Sequence, residues 1–178
     1  MKRKSLAAVL ALSFLPFSTP TASAVIDLQG DLERIISGIN RFDANSATSA
    51  SVSNISDVKR ITSNNATILQ EIKNANAVFK QDLNKAKRLL PSRDTKDSPA
   101  FSTLMNLAKG YEQWLKYQYK NQSTAQSCIK KAGSSYDSFS LCLVGALSKT
   151  LENERVGRQK LEAAFNAWNR WQIKYGYA

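Results

Sequence analysis

Histidine is absent from all 178 residues. Its absence excludes His-based catalytic triads and dyads and any His-ligated metal or haem site. Cysteine occurs only twice, proline four times and glycine seven times. These few residues form no phosphate-cradling glycine loop and no metal-ligand cluster. A serine nucleophile would need lysine as its base. Ser127 and Lys130 have a Ser-x-x-Lys spacing, but beside a turn between the two cysteines rather than in a pocket context. Glu152 and Glu154 are close in sequence, yet two positions apart on a helix they point to different sides. Glu112 could meet another acid only across a bundle, and glycosidase chemistry needs its acids in a cleft lined by sugar-stacking aromatics. The expectation is a protein that is not an enzyme and has no cofactor and no metal.

Apolar runs of spanning length are also missing. Lys2, Arg3 and Lys4 precede an apolar stretch over residues 6–17, broken by Ser13, and Ala22-Ser23-Ala24 follow it. A membrane span needs about 20 apolar residues. A positive start, a short apolar core and small residues at the exit instead describe a signal peptide over residues 1–24, cleaved near Ala24. The expected location is therefore periplasmic or secreted.

Negative charge is scarce: 14 Asp+Glu face 25 Lys+Arg. Three of the positive residues lie in the leader and none of the acids do, so residues 25–178 keep 22 against 14, a net +8. Such a surface favours anionic partners, and export makes nucleic acid the least suitable of them. In an oxidising compartment, Cys128 and Cys142 are expected to form a disulfide.

Helical periodicity dominates what is present. Ile26, Leu28, Leu32, Ile35, Ile36, Ile39 and Phe42 fall on one helical face, giving a short helix over about 26–42. Residues 43–53 are small and polar and are expected to be a connector. From Ile55 to Leu90, apolar residues step by three and four without a break, with Asn65 the one larger polar residue in the stripe; this is one long helix stopped by Pro91. Ser98-Pro99 reads as a helix start. A second long helix with Phe101, Leu104, Ala108, Tyr111, Leu115 and Gln118 on one face runs to about Ile129. Gly133-Ser134-Ser135 breaks it, and Asp137 or Ser138 is expected to cap the last helix. Its face carries Phe139, Cys142, Leu143, Ala146, Leu147, Leu151, Leu161, Phe165 and Trp168, interrupted by Glu154 and Arg158, which can pair four residues apart.

The fold class that satisfies these stripes is all-α: an elongated antiparallel bundle of three long helices plus a shorter N-terminal helix, with one disulfide stapling the last hairpin. By segments, residues 1–24 are the leader, 25–53 the short helix and connector, and 54–178 the bundle.

The candidate binding surface is aromatic and basic. Trp114, Lys116, Tyr117 and Lys120 form one group, and Arg170, Trp171, Lys174 and Tyr175 another. Trp, Tyr and Arg are enriched in protein interfaces, and with lysine they also suit lipid headgroups or acidic glycans. The two groups lie at different distances from the Gly133 turn, so one continuous patch is not expected. The functional expectation is a helical bundle that binds a macromolecular partner, such as an inhibitor, an immunity or exclusion factor, or a secretion-system accessory. An anionic lipid or acidic glycan is the alternative ligand.

Overall fold

A computed structural model describes residues 26–89 and 99–174. The leader, the charged turn with Ser98 and Pro91, and Tyr175 lie outside them. Four α-helices follow in order: α1 (Leu28–Thr48), α2 (Ile55–Leu89), α3 (Pro99–Ala132) and α4 (Tyr136–Lys174), with a short 3-10 turn at Ser49–Ser51. At 1.5 Å per residue the three long helices extend roughly 50–60 Å. Each packs antiparallel on the next: α1 on α2, α2 on α3, and α3 on α4. The all-α bundle that the stripes imply is the fold this chain adopts.

Local chemistry sets the boundaries. The Asp27 carboxylate accepts the Gly30 N–H at 2.8 Å and caps α1. The Asn54 side chain accepts the Asp57 N–H at 2.8 Å and starts α2. Pro99 occupies the first position of α3, where a missing N–H does no harm. Gly133 ends α3 with φ 61°, a left-handed conformation that favours glycine. The cap of α4 is neither Asp137 nor Ser138. The Ser135 hydroxyl accepts the Ser138 N–H at 3.1 Å, so the helix begins two or three residues earlier than expected.

The expected connector over residues 43–53 is mostly helix. α1 continues to Thr48 because its small polar residues find partners without leaving the helix. Thr48 Oγ1 donates to the Asn45 carbonyl at 2.6 Å, and Asn45 Nδ2 reaches across to the Ile61 carbonyl and to Asn65 Oδ1 at 3.1 and 2.8 Å. Asn65 is thus a clasp between α1 and α2, and it donates in turn to Ser46 Oγ at 3.2 Å.

Two apolar cores result. The larger holds Ile35, Ile39 and Phe42 of α1, Leu69, Ile72 and Phe79 of α2, Leu107, Tyr111 and Trp114 of α3, and Leu161 and Trp168 of α4. Gly110 lets α3 and α4 meet closely here: a Cβ at that position would lie 2.7 Å from the Ala164 Cβ. The smaller core sits at the disulfide end, where Val58, Cys128, Ala132 and Phe139 are buried. The Tyr136 hydroxyl, donating to the Val52 carbonyl at 2.6 Å, ties the α3–α4 turn to the α1–α2 turn at that end.

At the opposite end, Asp31 is 1 % exposed, and its Oδ2 has no hydrogen-bond partner. Burial pushes its carboxyl above the ordinary aspartate range, and the Arg34 ion pair at 2.7 Å only partly opposes this. The fold therefore favours the protonated acid. Its stabilising contribution is complete below the ordinary aspartate pKa and is lost as pH rises through the raised folded value. Asp31→Asn is expected to melt at a higher temperature than the parent at about pH 7 and at the same temperature at about pH 2.5. Paired thermal melts check this; an Asn variant less stable at neutral pH contradicts it.

Candidate functional site

Between the two apolar cores the helices meet through a belt of amides. Gln122 Nε2 donates to the Thr62 carbonyl at 2.5 Å, and Gln118 Nε2 to Glu154 Oε2 at 2.5 Å. Asn153 Nδ2 donates to Asn121 Oδ1 at 2.9 Å, while Asn121 Nδ2 donates to the Thr150 carbonyl at 3.1 Å. Amides at these heights keep the helices together without filling the space between α1 and α4. A cleft of about 1140 Å³ opens there, with Gln118 and Gln122 in its floor. One wall is the end of α1 and the start of α2, with Val58 and Ile61; the other is α4 from Phe139 to Arg158.

α1 has no extended seam with α4, although it packs along α2. Arg158 bridges the gap. Its Nη2 donates to Asp43 Oδ1 on α1 at 2.7 Å, and its Nε donates to Glu154 on its own helix. The sequence pairing of Glu154 with Arg158 is therefore present, with Asp43 as a third member that the i,i+4 rule could not supply. Burial opposes the charge on Arg158, but the hydrogen bond that it donates to Asp43 and the nearby charges of Asp43 and Glu154 outweigh it. The guanidinium is held still more firmly protonated.

The apolar face expected along α4 is only partly buried, which corrects the sequence reading at Leu147 and Leu151. They are 49 % and 59 % exposed, beside Leu141 at 74 % and Val144 at 65 %. These four account for most of the large exposed hydrophobic residues among those described; Val78, Leu89 and Ile173 are scattered elsewhere. Periodicity places Leu147 and Leu151 on the apolar face, but α1 lies against α2 and leaves them nothing to pack on. Gly145, on the same stretch, would have open space around a Cβ.

The aromatic–basic residues are placed differently from expectation. Trp114 is 0 % exposed and sits edge-on to Phe42, with ring centroids 5.5 Å apart. It belongs to the core, because Phe42 of α1 packs against the flank of α3 on which the helical stripe alone places it. Tyr117 is half-buried near the Gly157 backbone, with the Lys120 ammonium 4.9 Å from its ring centroid. Trp171 is half-buried and stacks on Trp168 at 5.1 Å. Lys116, Lys120, Arg170 and Lys174 are exposed, and Tyr175 is outside the described residues. Because Tyr117 lies against Gly157, Trp171 is 14 residues further along α4, about 21 Å away. The two groups form no single patch.

The acids considered for chemistry also have structural neighbours. Glu152 pairs with Arg155 at 2.6 Å, and Glu112 with Lys80 at 2.5 Å. Among the described residues no group of three or more His, Cys, Asp or Glu could hold a metal ion.

The expected Cys128–Cys142 disulfide is formed, with Cα atoms 5.6 Å apart. It fixes the start of α4, one wall of the cleft, to the end of α3. Closing a loop with a sequence separation of 14 is worth about 3 kcal/mol in the chain-entropy model. The double variant Cys128→Ser/Cys142→Ser is expected to lose that amount in urea unfolding, and reductant is expected to have no further effect on it. An unchanged midpoint would show that the bond holds nothing that packing does not already hold.

Compared with known proteins, the chain matches no protein-family profile, no curated sequence and no solved structure.

Proposed function

We propose that this chain is an exported, periplasmic or secreted protein that acts without catalysis, by binding a macromolecular partner in or outside the cell envelope. The reading favours a protein partner over an anionic lipid or acidic glycan. Roles of this kind include an inhibitor, an immunity or exclusion factor, or a secretion-system accessory. Export rests on the leader pattern of residues 1–24. The disulfide and the lack, among the described residues, of any helix apolar enough to cross a membrane are compatible with it.

The observation that carries the binding reading is the exposed row Leu141, Val144, Leu147 and Leu151 beside an open, amide-floored cleft. Contiguous apolar side chains left in water on a monomer mark interaction surfaces. The cleft exceeds the roughly 300–1,000 Å³ of typical small-molecule pockets. The lipid or glycan alternative retains exposed Lys116 and Lys120 with the Tyr117 ring, but Trp114 is in the core and contributes no exposed stacking face.

Two surface variants separate the readings: Leu147→Ser/Leu151→Ser, and Lys116→Glu/Lys120→Glu. Each serves as bait against envelope extract at moderate salt, alongside co-sedimentation with anionic vesicles. Thermal melts matching the parent show that neither change disturbs the fold. A protein partner retained by the parent and by the lysine variant, and weakened at least tenfold by the leucine variant, is the expected result. At about 1.5–3 kcal/mol per buried leucine, losing two contacts accounts for that factor. Vesicle binding that disappears with salt and in the lysine variant, with no leucine dependence, overturns the reading.

A further inference from the structure

We infer that the cleft receives a basic amphipathic helix of the partner protein; this rests on the reading of the α4 face as a docking surface. Charge is the first ground. The exported chain is net +8, yet the charged residues lining the cleft are Asp43, Glu154 and Glu162 against Arg158 alone. Arg158 is already engaged by Asp43 and Glu154, so the cleft has the opposite sign to the rest of the molecule. Along α4 from Asp137 to Glu154 the only cation is Lys149. It lies two residues from both Leu147 and Leu151 and so projects from the far side of the helix. The near side presents leucine and valine with no positive charge among them. A partner segment carrying Lys or Arg beside its own apolar face is complementary to this arrangement, and an acidic segment is not.

Shape is the second ground. The α4 wall from Phe139 to Arg158 covers 19 residue steps, about 28 Å, the length of a helix of about 19 residues. Leu143 and Leu151 line the cleft and Leu147 falls between them on the same face, while Val58 and Ile61 stand opposite. An i, i+4, i+8 row facing apolar residues across a trough is the geometry of helix-in-groove recognition. Strand addition has no edge to use, because the described residues contain no β-strand. A second copy is disfavoured on charge: a two-fold contact through this face would set like acids together and bring two net +8 chains into contact.

The test uses two helical peptides of about 19 residues with identical leucine faces, one with lysine and one with glutamate on the polar face. Each is titrated by fluorescence anisotropy against the protein purified as exported. The lysine peptide is expected to bind at least tenfold tighter than the glutamate peptide, although the net charge of the protein alone predicts the reverse order. Leu147→Ser/Leu151→Ser should abolish its binding, and Glu162→Gln should weaken it several-fold. If the glutamate peptide binds as well or better and both are lost in the leucine variant, the docking face stands and the charge inference is overturned. Binding of either peptide that ignores the leucine variant removes the docking face itself. If neither peptide binds, the basic-helix inference falls, and the extract experiment above still judges the docking face. Sedimentation of the same samples covers the remaining occupant: a dimer that the leucine variant makes monomeric assigns the face to a second copy and overturns the inference.

Discussion

Arg158 ties α1 to α4 across the mouth of the cleft. Its guanidinium reaches Asp43 on one helix and Glu154 on the other, so one cation is shared by two carboxylates where α1 and α4 have no extended seam. Below that height, toward Leu161 and Trp168, α4 contributes to the large core. Above it, α4 leans on α3 through amides and a disulfide and turns leucines to solvent. The change from apolar to polar contact along a single helix creates the cleft, and a two-carboxylate cation sits at the boundary. Partly exposed charge pairs of this kind contribute modestly to stability.

The same boundary separates two kinds of packing. In the large core, Trp114, Tyr111, Phe79 and Ile35 are sealed from water. At the disulfide end a smaller cluster around Val58, Cys128 and Phe139 is held by a covalent bond and by Tyr136 reaching Val52. Amides such as Gln122 and Asn121 join the two clusters with directional bonds. Such bonds fix helix register without demanding a filled interior. The arrangement gives a cleft closed at both ends by packed clusters, one wall of which is underpacked.

Much of this was legible in the residues. The stripes of α2 and α3, the break at Gly133 and the pairing of Cys128 with Cys142 follow from periodicity, backbone chemistry and compartment. Asn65 and the Glu154–Arg158 step stood out as polar intrusions on apolar faces. Their union into one belt did not, because it depends on which heights of different helices coincide. The length of α1 was hidden for a related reason: Asn45 and Thr48 look like connector residues until Ile61 and Asn65 are beside them. Trp114 and Leu147 show opposite sides of one limit. A stripe says which face of a helix is apolar, but not whether another helix meets it. α1 covers Trp114 and leaves Leu147 bare.

The central claim is that α4 has two regimes, a packed C-terminal part and an underpacked wall beside the cleft. Hydrogen exchange of the free, disulfide-intact protein reads this directly, residue by residue along the helix. The account predicts slow exchange for residues 157–172 and markedly faster exchange for residues 144–152, with protection recovering near Cys142. Uniform protection from Cys142 to Gln172 would contradict it and would mean that the wall is as well supported as the core.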